Sequence, residues 1–220
     1  MNIGVVGAGR IGGTIARQMA AAGHQVKLSF SRNPASLETL AGEIGPNATV
    51  AKPVAAVEFG EIVVVSVPWS LLPTALEELG SLAGKIVLDT TNQYGAPPLP
   101  PHGETAAYFN AARMPGARYT KSFNTLTAAF QAEAAGRQSD DRVVQWLCGD
   151  DVDAKNVVVG LIEDAGFVPV DLGGTADCAV MEAPRREGAV YGEEYRAPDA
   201  AAVIEAVRAG IPIPPAPKYE

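Results

Sequence analysis

The chain has 220 residues, of which 47% are hydrophobic, and a formal net charge of −8 at pH 7. This length suits one compact α/β domain with a small elaboration, and such a chain buries about 70% of its unfolded surface without a disulfide or metal. The acidic balance argues against nucleic acid as a partner, because a phosphate backbone requires a dense face of lysine and arginine.

Strand and helix signals alternate along the first half of the chain. Apolar or β-branched runs predict strands, and amphipathic segments opened by proline or closed by glycine predict helices. The order of these signals predicts a Rossmann-type, doubly wound, mostly parallel sheet of the α/β class. The predicted strands are Asn2–Val6, Gln25–Phe30, Ala48–Ala51, Glu61–Ser66 and Lys85–Asp89, with helices at Arg10–Ala22, Pro34–Glu43, from Pro53, and at Pro68–Leu79.

The second half is less regular. Tyr94–Pro101 is rich in proline and glycine and is predicted to be a loop. We expect a Rossmann domain with an acceptor cleft over residues 1–172, and a C-terminal extension over residues 173–220 that packs on the body or on a partner subunit. Further strands are predicted at Ala117–Phe123, Arg142–Cys148 and Phe167–Val170, with helices at Glu104–Met114, Val152–Ala165 and Pro198–Ala209.

The sequence also gives expectations about location and assembly. Met1–Gly7 lacks a basic leader and a long apolar core, so a first strand is expected there and not a signal peptide. Apolar runs such as Ile62–Val65 are too short to cross a bilayer. Cys148 and Cys178 show no CxxC spacing, as is usual for idle thiols in a reducing compartment. We therefore expect a cytoplasmic protein without a membrane partner, and the apolar tail Ile211–Pro217 suggests a homodimer.

A glycine motif lies between the first predicted strand and the first predicted helix. In this GxGxxG pattern Gly7 permits the tight turn, Gly9 lets the backbone approach a pyrophosphate, and Gly12 allows close helix–strand packing. A purely structural glycine turn is the alternative, but the position of the motif favours a dinucleotide site. The residues assigned to the cofactor here are Gly7, Ala8, Gly9, Arg10, Ile11 and Gly12.

The end of the second predicted strand indicates which dinucleotide is preferred. Enzymes specific for NAD usually carry a carboxylate here for the ribose hydroxyls, whereas this chain has Ser31, Arg32 and Asn33, with no carboxylate before Glu38. A guanidinium pairs with a 2′-phosphate that a carboxylate would repel. We therefore predict NADP(H), with Arg32 as the phosphate clamp and Ser31 and Asn33 as donors. A solvated loop arginine is the alternative for Arg32.

The reacting end of the ligand should lie beyond the carboxyl ends of the later strands. Trp69 could form an aromatic wall there, or could be a core anchor under its helix. Asn92 and Asn124 could donate hydrogen bonds to a substrate carbonyl, although both could be turn residues. These three residues are the candidates for substrate binding.

No acid–base pair is evident among these segments. His24 and His102 lie far apart in sequence and suggest no metal cluster. Asp89 is expected to brace a loop, and Lys121 could point away from the pocket. A site without a proton donor suits hydride exchange between two bound cofactors, where positioning supplies most of the effect, so no catalytic residue is assigned.

Four separate patches, together with the glycine motif, resemble a known family. They are Ser31–Arg32, Ser66–Trp69, Cys148–Asp151 and Phe167–Gly173. As far as about Leu172 the chain resembles the NADPH-dependent reductases of coenzyme F420, a deazaflavin. The resemblance implies a Rossmann domain with a small C-terminal part, and hydride transfer between NADPH and coenzyme F420 as co-substrate.

The resemblance also implies residue roles. Gly9, Arg10 and Ile11 would line the pyrophosphate, Ser31 and Arg32 the 2′-phosphate, and Val67 and Pro68 the nicotinamide. Two positions depart from the archaeal members, which have a histidine at Asn124 and a lysine at Ser36. The segment from Met181 also departs from their pattern, which leaves the acceptor open.

Other functions share the same opening motif. β-Hydroxyacid dehydrogenases and imine reductases require a large helical domain after the Rossmann half, and the residues beyond about 170 are too few and too rich in proline for it. A reductase of flavin, ferric iron or another small molecule on the same scaffold is a second alternative. A non-catalytic module that senses NADP(H) is a third.

Overall fold

A computed structural model describes residues 1–31 and 33–219. The predicted Rossmann-type α/β fold is confirmed, and within the described residues no helix is long and apolar enough to cross a membrane. The strands are β1 Asn2–Val6, β2 Gln25–Ser29, β3 Ala48–Val50, β4 Ile62–Val65, β5 Ile86–Asp89, β6 Arg118–Lys121, β7 Val144–Gly149 and β8 Val168–Asp171. The α-helices are α1 Arg10–Ala21, α2 Pro34–Ile44, α3 Pro53–Phe59, α4 Leu72–Glu78, α5 Ala106–Ala112, α6 Ala128–Ala134, α7 Val152–Asp164 and α8 Ala197–Ala209.

The strands form one sheet in the order β3-β2-β1-β4-β5-β6-β7-β8. The first six strands run parallel, so their carboxyl ends share one edge of the sheet. β7 pairs antiparallel with β6, and β8 runs parallel to β7. Because β2 and β4 lie on opposite sides of β1, the chain reverses its direction across the sheet at β1 and β4. Ligands of open α/β sheets bind at such a reversal.

Two apolar layers cover the sheet. One holds α1, α2, α6 and α7, with fully buried side chains such as Val158 and Phe167. The other holds α3, α4, α5 and α8, with Leu72 and Val203 among its buried members. Strands covered on both faces explain the continuous apolar sequence of β4, in which all four residues are buried. The layers leave the carboxyl edge of β1, β2, β4 and β5 for the site.

The structure differs from the prediction in three places. Pro68–Leu79 is not one helix, because a 3-10 helix at Trp69–Leu71 precedes α4. Helix α6 was not predicted, since its small side chains give a weak pattern, and Thr127 caps it by accepting a hydrogen bond from Phe130 N. β7 begins at the same edge of the sheet at which β6 ends, so it runs antiparallel to β6. The length of the connection between the two strands did not indicate this direction.

The segment from Gly173 onward packs against the second apolar layer. Tyr195 lies edge-on to Trp146 of β7, with ring centroids 5.3 Å apart. Val143 and Arg196 form an antiparallel bridge beside the sheet. The buried Glu182 carboxylate accepts hydrogen bonds from the backbone N–H groups of Ala106 and Ala107 at the start of α5. In this structure the extension therefore shares its core with the Rossmann body.

Candidate functional site

A cavity of about 1050 Å³ lies at the carboxyl edge of the sheet, where the chain reverses direction. It runs from the glycine loop and the end of β2, past the end of β4, to the segment after β5. Its position is that of the crevice in which open α/β sheets bind a dinucleotide. The lining residues are Gly7, Gly9, Arg10, Ile11, Phe30, Ser31, Asn33, Ser36, Ser66, Val67, Pro68, Trp69, Ser70, Leu71, Thr90, Thr91, Asn92, Tyr94 and Ala96.

The three glycines of the motif have different surroundings. Gly7 has φ +93°, and a Cβ placed there would lie 2.4 Å from the carbonyl oxygen of Ser66. A Cβ at Gly12 would lie 2.1 Å from the carbonyl oxygen of Gly7, so close packing requires glycine at both positions. A Cβ at Gly9 would meet no atom of residues 1–31 or 33–219 within 4 Å. The described residues therefore leave open space at Gly9, directly before the first turn of α1.

The first turn of α1 gives this space a favourable field for an anion. The first backbone N–H groups of a helix have no partner within the helix, and the helix dipole makes this end positive. No acidic side chain lies in the first turn of α1. Arg10 begins the helix, is exposed and lines the cavity. Ala8, by contrast, lines a smaller neighbouring cavity of about 400 Å³ with Gly9 and Gly13.

Polar groups at the end of β2 form a local network at one end of the large cavity. The Ser31 hydroxyl donates to the Asn33 carbonyl oxygen at 3.0 Å and accepts from Asn33 N at 3.1 Å. Asn33 Oδ1 caps α2 by accepting from Ala35 N, which directs that oxygen away from any ligand. Both residues line the cavity. Arg32 lies outside the described residues, so its predicted clamp stays a prediction.

The other end of the cavity is built by the segment after β4. Val67 is buried and Pro68 is exposed, and both line the cavity as expected. Trp69 combines both of its predicted positions, because it lines the cavity yet is only 4% exposed. Its indole stacks on Phe109 with centroids 6.2 Å apart, and its Nε1–H donates to the Pro98 carbonyl oxygen. Trp69 thus fixes the proline-rich loop beside the cavity.

The two candidate asparagines bind each other. Asn92 Nδ2 donates to the Asn124 carbonyl oxygen at 2.8 Å, and Asn124 Nδ2 donates to Asn92 Oδ1 at 3.0 Å. Asn124 Nδ2 also donates to the Met181 carbonyl oxygen. Asn92 lines the cavity, whereas Asn124 is 4% exposed and lies behind it. The Asn124 Nδ2 group thus links two loops, and substrate binding by Asn92 and Asn124 stays a prediction.

A buried polar cluster holds the cavity wall at Thr91. Asp89 Oδ1 accepts from Thr91 N at 2.7 Å, and Lys121 Nζ donates to the Thr91 carbonyl oxygen at 2.5 Å. Asp89 Oδ2 also accepts from the Asn110 amide and the Tyr119 hydroxyl. Asp89 therefore braces a loop, as predicted. Lys121 does point away from the cavity, and there its ammonium holds the wall from behind.

Charges inside the cluster compensate each other. Burial lowers the pKa of Lys121, but the facing carboxylates of Asp89 and Glu182 raise it, and the net shift is upward. Burial, followed by the charge of Asp89, raises the pKa of Tyr119 well above its usual range. Lys121 thus stays charged and Tyr119 stays neutral near pH 7. The cluster holds its protons and serves as a rigid support.

Within the described lining, the titratable side chains are Arg10 and Tyr94. Neither is a histidine or a carboxylate, the side chains that most often exchange protons with a substrate. The cavity can therefore bind, orient and exclude water. Sequence reasoning missed Phe30, Ser66, Thr90, Thr91 and Tyr94 as lining residues. Phe30, Ser66 and Thr90 directly follow strands, and Thr91 and Tyr94 lie in the segment after β5, which is the signal that could have found them.

The fold and this cavity define a dinucleotide-binding domain of the Rossmann class. Residues 2–93 match the family model described as NADP oxidoreductase, coenzyme F420-dependent. The resemblance inferred from the motifs is thereby confirmed. The chain is also 29% identical over 181 residues to Metalloreductase STEAP3 of Rattus norvegicus, covering 82% of this chain and 36% of the relative. It thus spans about a third of the length of the curated relatives that it matches.

Solved structures show the same architecture. Hypothetical protein SMa0349 from Sinorhizobium meliloti superposes with a TM-score of 0.78 at 27% identity, covering 89% of this chain and 95% of the other. A protein from Arthrobacter sp. FB24, proposed to be an F420-dependent NADP-reductase, gives a TM-score of 0.69 at 26% identity over 81% of this chain and 87% of the other. The NADP+ complex of an imine reductase from Myxococcus stipitatus, 20% identical, shares the fold with a TM-score of 0.62 and covers 81% of this chain and 57% of the other.

Proposed function

We propose that this protein is an NADP(H)-dependent oxidoreductase that transfers a hydride between NADPH and a deazaflavin such as coenzyme F420, or a related acceptor. The observation that carries the proposal is the shape of the cavity, which continues beyond the end of β4 to Asn92, Tyr94 and Ala96. A dinucleotide lying on the glycine loop leaves this far end for a second molecule. The match of residues 2–93 to the F420-dependent family supports the choice of acceptor.

The described residues fit the dinucleotide. Gly9 offers a cradle that a Cβ would occupy without meeting any other described residue, as a closely approaching pyrophosphate requires. Arg10 adds a positive charge to the helix end. Ser31 and Asn33 lie where the adenosine ribose would reach β2, and the predicted pairing of its 2′-phosphate with Arg32 completes the assignment. Val67 and Pro68 would contact the nicotinamide.

NADPH, when bound, would supply the hydride, and the acceptor would receive it. The protein then has two tasks, which are to bring the rings together and to keep water from between them. Val67 and Trp69 give the cavity an apolar wall. Thr91 is held through its N–H, carbonyl and hydroxyl groups by Asp89, Lys121 and Asn110. This rigid wall sets the ring-to-ring geometry without a proton donor.

A reductase of ferric iron or of flavin is a second candidate. The observation that favours it is the similarity to STEAP3, a protein named a metalloreductase, over most of this chain. This chain corresponds to 36% of that relative, so the comparison concerns the nucleotide-binding part. In this alternative the cavity and NADPH keep their roles, and the acceptor differs.

Anaerobic mixing of the protein with NADPH and one acceptor at a time tests the proposal. Coenzyme F420, riboflavin and ferric citrate are compared by following the loss of NADPH absorbance. Turnover that is fastest with coenzyme F420 supports the proposal, and turnover with riboflavin or ferric citrate alone favours the second candidate. Tight NADPH binding with no turnover of any acceptor contradicts both and favours a sensor. A Trp69→Ala variant should slow turnover more than it weakens NADPH binding.

A further inference from the structure

Two tyrosines from distant parts of the chain meet at the far end of the cavity. Tyr94 follows β5 and lines the cavity, and Tyr191 belongs to the C-terminal extension. Their rings lie edge-on, with centroids 6.3 Å apart and planes at 70°, and their hydroxyls are hydrogen-bonded. Tyr191, to which the sequence analysis assigned no role, therefore lies at the mouth of the cavity.

The segment that carries Tyr191 is fixed on both sides. Val190 is fully buried, and its N–H donates to the Val180 carbonyl oxygen at 2.8 Å. The N–H of Gly192 donates to the carbonyl oxygen of Thr125 at 2.9 Å. Because both neighbours are anchored, the Tyr191 ring is presented by a defined backbone.

The two rings leave a surface suited to a planar ligand. Tyr94 is 64% exposed, so much of its ring is uncovered at the cavity mouth. Rings at 70° form a corner in which a third aromatic ring can stack on one face and meet the edge of the other. Burial, followed by the hydrogen bond to Tyr94, raises the pKa of Tyr191, so its phenol stays neutral. The nearby Glu193 carboxylate is paired with Arg185 at 2.6 Å.

From this geometry we propose that Tyr94 and Tyr191 form an aromatic rim that binds the ring system of a planar heteroaromatic acceptor. The proposal rests on the proposed function, since it assigns the acceptor side of the same cavity. It makes the C-terminal extension a part of the site. Small non-aromatic acceptors would not use the rim, so the rim selects among acceptors without changing how NADPH is held.

Riboflavin is the probe, because stacking on tyrosine quenches its fluorescence and no turnover is needed. In one experiment the protein is titrated with riboflavin in the presence of NADP+. In a second experiment it is titrated with NADPH alone. Tyr191→Ala and Tyr94→Ala should each raise the riboflavin Kd about threefold to tenfold, the range that aromatic pairing provides. Both should leave the NADPH Kd unchanged. Tyr191→Phe keeps the ring and should bind within about twofold of the wild type.

Tyr108→Ala is the matched control, since Tyr108 is exposed on α5 and does not line the cavity. It should bind riboflavin as the wild type does. Wild-type affinity in both Tyr191→Ala and Tyr94→Ala, or no riboflavin binding by the wild type, would overturn the rim. The two tyrosines lie in separate segments. If one substitution unfolds its segment locally, the other variant still tests the proposal. A protein that quenches riboflavin but fails to bind NADPH would refute the proposed function and leave the rim standing.

Discussion

The carboxylate of Asp89 and the ammonium of Lys121 lie 3.7 Å apart with both side chains fully buried. They come from neighbouring strands, β5 and β6, and both contact the backbone of Thr91 in the cavity wall. Burying two charges is costly unless each is paired and hydrogen-bonded. The cluster meets this condition, and in doing so it links the stability of the sheet to the geometry of the site.

Removing one member of the Asp89–Lys121 pair should therefore destabilise the protein strongly. Lys121→Met leaves the Asp89 carboxylate buried without its cation, and we expect a loss of about 3–5 kcal/mol in the free energy of unfolding, measured by urea denaturation. The double variant Asp89→Asn with Lys121→Met removes both charges and should recover part of this loss. A double variant as unstable as the sum of the two single variants would show that the charges do not stabilise each other.

Substitutions at Gly9 and Gly12 should affect NADPH binding and stability separately. Gly9→Ala should keep the melting temperature, because φ is −75° and no atom of the described part of the chain lies within 4 Å of the new Cβ. It should weaken NADPH binding at least tenfold by filling the pyrophosphate cradle. Gly12→Ala should lower the melting temperature by several degrees, because its Cβ would lie 2.1 Å from the Gly7 carbonyl oxygen. Thermal unfolding and NADPH titration measure the two effects. Unchanged NADPH affinity in Gly9→Ala would place the pyrophosphate elsewhere.

Acid should weaken the junction between β6 and α7. Asp151 accepts from Arg118 at 2.6 and 2.8 Å and from Ala154 N, and the Arg118 hydrogen bond, followed by that from Ala154, lowers the Asp151 pKa. A carboxyl with a lowered folded pKa contributes stability above its unfolded pKa of about 3.9, and this contribution is lost as the pH falls toward the folded value.

Asp151→Asn keeps a capping oxygen but has no charge to lose. Its melting temperature should lie below that of the wild type at pH 7, and the difference should shrink below about pH 4. Glu38→Gln on the exposed side of α2 is the control. A difference that stays constant from pH 7 to pH 3 would mean that the ionised carboxylate of Asp151 does not stabilise the fold.

Local sequence patterns were sufficient to predict much of the fold and the glycine-loop end of the cavity. The glycine motif is a short continuous segment of the sequence, so Gly7, Gly9 and Gly12 could be assigned from their spacing alone. Strand β7 and the Asn92–Asn124 pair depend on contacts between segments far apart in sequence, which no local pattern records. The meeting of Tyr94 and Tyr191, 97 positions apart, is of the same kind. The homodimer and the cytoplasmic location stay predictions.

The preference for NADP(H) is the central claim, and direct titration of the wild type and Arg32→Ala with NADPH and NADH tests it. Arg10→Ala is the matched control, because Arg10 lines the part of the cavity assigned to the pyrophosphate that both dinucleotides share. We predict that the wild type binds NADPH more tightly than NADH. Arg32→Ala should weaken NADPH at least tenfold and NADH little, whereas Arg10→Ala should weaken both alike. Equal weakening of NADPH and NADH by Arg32→Ala, or tighter binding of NADH by the wild type, would contradict the account.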